Sequence, residues 1–429
     1  MDLIIRGNTG RIFGEAKVPG DKSISHRSII IGSLAEGETV IKNPLISEDV
    51  LRTIYAFKEM GVDIEIKDDE ILIHGTGLYG LKKPKNYIDC GNSGTTARLL
   101  SGVLSGQNFS TTLIGDKSLS NRPMDRVIVP LRKMGADITG REDKYLPIEI
   151  KPTRSKLQAI KYELPVASAQ VKSAILLATL YANNTTEIIE YKTTRDHTER
   201  MLKYFGCNIK RINKSIFMAS TNPLKGKSIY VPGDISSASY FIVAASLIEG
   251  SNLILRDVGI NPTRNGIIHV LKRMGADIDV FNIRTINNEP VGDINVRHAP
   301  LKGISIDRRI TGIIIDEIPI LAVAASLAKG KTEIRDVKEL KYKESDRIRT
   351  ISEELKKMGA KIEVLPDGMI IEGVDRLQGT LVNSHGDHRI AMALSIAALV
   401  ANHETLINGH ECVNISFPNF YDILSRLYI

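Results

Sequence analysis

Tryptophan is absent from the 429 residues, and aromatic residues together make up only 5% of them. Proteins that grip single-stranded nucleic acid stack bases on aromatic rings, so this composition argues against that role. Cysteine is scarce as well. Cys90, Cys207 and Cys412 are odd in number and far apart, with no CxxC pair. They form neither a disulfide framework nor a zinc-ligand spacing. Long apolar runs are also missing. The longest, Ile390 to Ala401, has 12 residues, short of the roughly 20 that a membrane-spanning helix needs. The opening MDLIIRG lacks the basic start and apolar core of a secretory signal. A reducing cytoplasm, with no membrane partner, is therefore the expected setting. Neither sign of charge dominates: 57 Lys and Arg face 50 Asp and Glu, for a net +7. Interspersed in this way, the charges suit a small anionic substrate at least as well as a nucleic acid.

What is present is repetition. VPGDKSISHRSIIIGSLAEG, Val18 to Gly37, returns 213 positions later as VPGDISSASYFIVAASLIEG, Val231 to Gly250. Ten of the twenty residues are identical. What both copies keep (a turn, a capping Asp, an apolar helix, a closing Gly) reads as architecture. What only the first carries, Lys22, His26 and Arg27, reads as chemistry. Cations beside a helix N-terminus describe an anion site, because free N–H groups and the positive end of the dipole already lie there.

Two further phrases interleave along the chain. KEMGVDIEI, RKMGADITG, KYFGCNIKR, KRMGADIDV and KKMGAKIEV each read as a charged helix closed by Gly and followed by a strand. Between them lie six helices that are apolar or small on nearly every face, which predicts burial. Six units of about 70 residues account for almost the whole chain. The expectation is two domains of three units each, with buried helices covered by sheets: residues 21–232, and residues 1–20 plus 233–429. The VPGD turns are the natural crossings.

The starts of the six buried helices carry the polar residues: Asp21–Arg27, Gly91–Arg98, Ala167–Lys172, Asp234–Ser237, Asp316–Pro319 and Gly386–Arg389. Part of this is ordinary, since six helices need six N-caps; Glu317, beside Asp316, is expected to serve as one. Cations are not ordinary there, because the dipole disfavours them. Lys22, Arg27 and Arg389 therefore point to a bound anion. Three other stretches are dense in charge. Gly115–Arg126 holds Lys117, Arg122 and Arg126. Thr193–Met201 places Arg195, His197 and Glu199 ahead of an outer helix, part of it for capping. Lys341–Arg347 leaves Lys343, Glu344 and Arg347 unexplained once Ser345 caps the next helix.

PGDKSISHR, GNSGTTAR, NRPM, SAQVKSA, RDHTERM, DEIP, KESDR, DHRIAMA and SFPNF, in this order, closely resemble the 5-enolpyruvylshikimate-3-phosphate synthase family over the full length. The SAQVKS and RDHTERM forms resemble its class II branch. The resemblance implies a two-domain inside-out α/β barrel of six βαβαββ-type repeats, three per domain. Buried helices would point their N-termini at an interdomain cleft that holds the active site. It also implies transfer of the enolpyruvyl group of phosphoenolpyruvate to the 5-hydroxyl of shikimate 3-phosphate, with no metal, no organic cofactor, no nucleic-acid partner and a monomeric enzyme. Carried over position by position, Lys22, Ser23, Arg27, Ser168, Ala169 (through its backbone), Gln170, Arg195, Asp316 and Lys343 would hold shikimate 3-phosphate. Lys22, Gly94, Arg122, Gln170, Arg347, His388 and Arg389 would hold phosphoenolpyruvate. Asp316 would take the hydroxyl proton, Glu344 would exchange a proton with the methylene carbon, and Lys22 would assist both substrates.

Three positions depart from the family's pattern. Ile415 stands where a Lys is common, Ala169 where a Ser is, and Glu339 where an Asn is. The near relative, UDP-N-acetylglucosamine enolpyruvyl transferase, usually carries a Cys acid in the loop matching Gly115–Arg122. That loop has no Cys here, which disfavours the alternative.

Overall fold

The computed structural model describes residues 3–7, 9–153, 155–219 and 223–429. Among them twelve α-helices alternate in character. In chain order they pair as α1 (Lys22–Leu34) with α2 (Glu48–Glu59), α3 (Gly94–Leu104) with α4 (Asp125–Lys133), and α5 (Ala169–Thr179) with α6 (His197–Tyr204). Then come α7 (Ile235–Leu247) with α8 (Gly266–Arg273), α9 (Ile318–Ser326) with α10 (Arg347–Lys357), and α11 (His388–Leu399) with α12 (Phe420–Leu427). The first of each pair is buried almost all round: every residue of α9 and α11 is inside. The second buries one stripe and shows charge on the other face, as α2 does with Val50, Ile54 and Phe57 inward.

Buried helices rich in Ser and Thr must satisfy hydroxyls without water. They do so by bonding back one turn. Ser28 donates to Ile24 O at 2.9 Å, Ser101 to Ala97 O at 2.8 Å and Ser395 to Ala391 O at 2.9 Å. Small residues also let the helices approach closely. At Gly102 of α3 a Cβ would lie 2.2 Å from Ala174 O on α5, so Gly102→Ala would force the two apart. The outer phrase ends as the sequence predicts. Gly61, Gly135, Gly206, Gly275 and Gly359 all have φ between +85° and +102°, a conformation that favours glycine.

The strands repeat one topology. Ile88–Asp89 runs parallel to Thr111–Ile114, which pairs antiparallel with Tyr145–Lys151, and that with Asp137–Arg141. Lys161–Glu163, Thr186–Ile189, Ser215–Met218 and Ile209–Ile212 do the same. In both sheets the parallel strand is the one just ahead of the buried helix. At the two VPGD turns that rule is exchanged. Phe13–Lys17, ahead of α1, pairs with Asn252–Gly259 behind α7. Ser228–Tyr230, ahead of α7, pairs with Glu36–Lys42 behind α1. The sixth repeat lacks a hairpin of its own, and Leu3–Arg6 supplies the antiparallel strand beside Glu404–Asn408.

The chain divides into two compact units. One comprises Met1–Pro19, Pro232–Thr285 and Pro290–Ile429; the other comprises Gly20–Val231 with Ile286–Glu289. The four-residue segment departs from the expected boundaries, and the sequence gives no hint of it. Its side chains explain the grouping: Glu289 accepts from or pairs with His197 Nδ1 at 2.7 Å, and Asn287 donates to Tyr230 O at 2.9 Å. Each unit has its own apolar core, and each fully buried Ile or Leu in it contributes about 2 kcal/mol. No helix among the described residues is long and apolar enough to cross a membrane.

Candidate active site

In the unit built on Gly20–Val231, the starts of α1, α3 and α5 are tied to one another by polar side chains. Asp21 caps α1, accepting from Ile24 N at 2.9 Å. Lys22 follows, its side chain 18% exposed, and donates to Asp49 at 3.0 Å. Arg27, one turn later, is buried. Its Nη1 donates to Ser23 O at 2.9 Å, its Nη2 to Ser173 of α5 at 2.8 Å, and its Nε to Thr198 of α6 at 2.6 Å. Burial pushes the Arg27 guanidinium below its ordinary value; Glu199 and Asp21 oppose this, and the neighbouring Arg195 adds to it.

Gln170, on α5, spans to α3. Its Oε1 accepts from Arg98 at 2.7 Å and its Nε2 donates to Thr95 at 3.0 Å. Ser168 caps α5, accepting from Val171 N at 3.4 Å, and the carbonyl of Ala169 accepts from Ser173 Oγ at 2.6 Å. Arg122 lies beyond the short turn Leu119–Asn121, held by Asn92 Oδ1 at 2.6 Å and Ser118 Oγ at 3.1 Å. Gly94 keeps the space beside it open, since a Cβ there would come 3.7 Å from Arg122 Nη1 and 2.9 Å from Arg98 Nη1.

The other unit gathers a second cluster at the starts of α9, α10 and α11. Asp316 Oδ1 accepts from Lys343 Nζ at 3.2 Å and Arg347 Nη1 at 3.4 Å. Arg389 Nη1 donates to the Asp316 carbonyl at 2.9 Å. Arg347 is 1% exposed and holds two further carboxylates: Asp387 at 2.8 Å and Glu344 at 2.5 Å. Burial alone would lower Arg347's hold on its proton, but Asp387 and Glu344 outweigh it and the group is raised. Burial likewise works to raise the Asp387 carboxyl, and Arg347 more than reverses it. His388 is buried directly after Asp387.

The two clusters differ in chemistry. The first is cationic, with Lys22, Arg27, Arg98, Arg122 and Arg195, and suits anions. The second interleaves the carboxylates of Asp316, Glu344 and Asp387 with three cations, which suits proton transfer beside charged substrates. Among the described residues no group of His, Cys, Asp or Glu could hold a metal ion.

A family model described as EPSP synthase (3-phosphoshikimate 1-carboxyvinyltransferase) matches residues 7–424. The chain belongs to this family. It is 53% identical over 414 residues to the 3-phosphoshikimate 1-carboxyvinyltransferase of a Thermoanaerobacter strain, covering 96% of this chain and 97% of that protein. It is 52% identical over 423 residues to that of Petrotoga mobilis, covering 98% of each. Among solved structures, EPSP synthase from Acinetobacter baumannii superposes with a TM-score of 0.90 at 45% identity, over 100% of this chain and 98% of that one. The enolpyruvyl transferase NikO from Streptomyces tendae, at 17% identity and a TM-score of 0.79 over 99% and 97%, shares the fold.

Within this EPSP synthase framework, two expectations about caps need correction. Glu317 stands at the N-cap of α9 but makes no side-chain cap bond. It is fully buried, and Ser236 donates to its Oε1. Ser345 does not cap α10: Asp346 does, accepting from Arg349 N at 3.2 Å, and Ser345 donates to Asp387 at 3.0 Å. At α6, whose cap the sequence leaves unassigned, Asp196 makes no cap bond and accepts from Arg200 Nε at 2.8 Å. Sequence reasoning also passed over Arg98, Asp49 and Asp387. Arg98 was within reach of the rule used elsewhere, being a cation in the opening turns of a buried helix. Asp49 and Asp387 gave no such signal, because acids at helix starts are what the dipole favours.

Proposed function

We propose that the two clusters serve one reaction, transfer of the enolpyruvyl group of phosphoenolpyruvate to the 5-hydroxyl of shikimate 3-phosphate with release of phosphate. It is a step of the shikimate pathway towards chorismate and the aromatic amino acids. Arg27, Arg195, Ser23, Ser168, Gln170, the Ala169 backbone and Lys343 hold shikimate 3-phosphate. Arg122, Arg347, Arg389, His388, Gln170 and the space at Gly94 hold phosphoenolpyruvate, with Lys22 reaching both. Asp316 takes the proton of the 5-hydroxyl as its oxygen attacks C2 of the enol. Glu344 gives a proton to the methylene carbon, which becomes a methyl group. The tetrahedral intermediate then returns a methyl proton to the Glu344 carboxylate as the C–O bond to phosphate breaks, which restores the double bond and releases phosphate.

The observation that carries this reading is the placement of Asp316. Lys343, Arg347 and Arg389 surround it, so a carboxylate that can accept a proton stands among cations that can hold the charged substrates. Glu344 is paired with Arg347, one of the cations assigned to phosphoenolpyruvate, which would bring its carboxyl to the side of the methylene carbon. The alternative UDP-sugar reaction lacks its Cys: Cys90 and Cys207 are buried, and Cys412 lies far along the chain from the Gly115–Arg122 loop. A phosphate-release assay with phosphoenolpyruvate and shikimate 3-phosphate, with UDP-N-acetylglucosamine as control, tests the assignment. Turnover with the UDP-sugar only would overturn it.

A further inference from the structure

Beneath the anion cluster lies a charged group that the reaction does not use. Lys172, on α5, has no solvent exposure at all. Its Nζ lies 2.9 Å from Glu190 and 2.7 Å from Glu199 of α6. Glu190 is paired on its other oxygen with Arg211. Burying a lysine and its carboxylates is costly, and apolar residues of equal volume commonly replace such pairs with no loss of stability. Stability is therefore a weak account of why they are there.

Their neighbours in the chain give a better one. Lys172 precedes Ser173, and Glu199 follows Thr198. Ser173 and Thr198 are the two hydroxyls that hold Arg27, at 2.8 and 2.6 Å, and they lie 2.7 Å from each other. The ion pair thus joins α5 to α6 one residue away from the register at which both hydroxyls meet one guanidinium. Slippage of either helix by one residue would turn its hydroxyl away by about 100°. We propose that Lys172 and Glu199 are positioning residues that clamp α5 to α6, and so fix Arg27 in the orientation that receives shikimate 3-phosphate. Glu199 also opposes the effect of burial on Arg27, as noted above, so the clamp faces the guanidinium electrostatically as well as through its neighbours.

The inference rests on Arg27 binding shikimate 3-phosphate, and the test separates the two ideas. Lys172→Met combined with Glu199→Leu removes both charges and keeps the volume. Calorimetric Kd and steady-state kinetics would be read for this double variant, for Thr198→Val and for Arg27→Lys, with thermal melting alongside. The double variant should melt within a few degrees of the parent and lose about tenfold in shikimate 3-phosphate Kd, the scale of one misaligned hydrogen bond to a charged group. Its KM for phosphoenolpyruvate should stay within about twofold and kcat within about threefold. Thr198→Val, which takes a hydroxyl from Arg27 directly, should show the same split; Glu199→Gln, which removes the clamp's charge and keeps its shape, carries the test if the double variant does not fold. Native shikimate 3-phosphate affinity in the double variant, or in Glu199→Gln where that variant stands in, with Arg27→Lys weakened, overturns the clamp and leaves the binding role standing. Native affinity in Arg27→Lys overturns the reading beneath it.

Discussion

Helices α1 and α7 begin on the same Val-Pro-Gly-Asp turn and use the same cap: Asp21 accepts from Ile24 N, and Asp234 from Ser236 N. Beyond the cap they diverge. Lys22 remains partly exposed and paired with Asp49, whereas its counterpart Ile235 is core, 1% exposed. Arg27 is answered by Tyr240, whose ring meets Phe420 edge-on at 5.9 Å. The cation serving α7 comes from another segment. Arg264, buried, donates to Asp234 at 3.1 Å and Ser236 at 2.7 Å. One copy keeps its cation where a ligand can reach it; the other spends it on holding the fold. A repeat thus separates architecture from chemistry within a single chain, with no second protein needed.

The largest effect should come from the acid–base pair, and it bears on where the α7 copy stops mattering. That copy reaches the Asp316 cluster through Ser236, which donates to Glu317. If the α7 start is architecture, Glu317 is too. Asp316→Asn and Glu344→Gln should then each lower kcat by about 10²–10⁴, the range for losing a positioned general acid or base. Shikimate 3-phosphate Kd should stay within about threefold, and Glu317→Gln should cost less than about tenfold in kcat. A Glu317→Gln enzyme more damaged than Asp316→Asn would break the comparison.

Next come the two cations themselves. Lys22→Met should lower kcat by about 10²–10³, the scale of one transition-state electrostatic contact. Its stability should change by less than about 1 kcal/mol, since a partly exposed pair contributes little. Arg264→Met should do the opposite. It removes the buried guanidinium paired with Asp234, which costs about 3–5 kcal/mol in urea unfolding, and it should leave kcat of the folded protein within about tenfold. Equal losses of turnover in both variants would mean that the second copy also takes part in the reaction.

The repeat, the buried and outer helices and the glycine caps could all be read from the sequence, because each is set by local periodicity and backbone conformation. The exchange of Phe13–Lys17 and Ser228–Tyr230 could not be seen, since parallel pairing leaves no mark in either strand. Nor could Ile286–Glu289 joining the other unit, which depends on side chains such as His197 about 90 residues away. At the site, cations set against a helix dipole stood out. Acids at the starts of buried helices did not: Glu317 and Asp387 look like caps from sequence, and only the packing reveals that Glu317 faces Ser236 and that Asp387, besides capping α11, holds Arg347.

The smallest expected effect concerns the third residue found only in the first copy. His26 is fully buried, with Nδ1 2.7 Å from Thr53 Oγ1 and Nε2 without a hydrogen-bond partner among the described residues. Burial, and then Lys22 and Arg27, hold this imidazole well below the ordinary histidine value. On acidification the unfolded chain therefore takes up its proton first, near pH ~6.5, while the folded form stays neutral. Stability from this group is complete above that pH. It is lost as the pH falls towards the folded value, at about 1.4 kcal/mol per pH unit for one proton. His26→Asn keeps a polar group for Thr53 and cannot titrate, so its urea-unfolding free energy should fall less steeply from pH 6.5 to 5, by up to one proton's slope. The α7 copy carries Ser239 at the matching position and contributes no such dependence. Parallel pH profiles for the parent and His26→Asn would show that folded His26 takes up its proton as readily as the unfolded chain does. The first copy would then be set apart by its two cations alone.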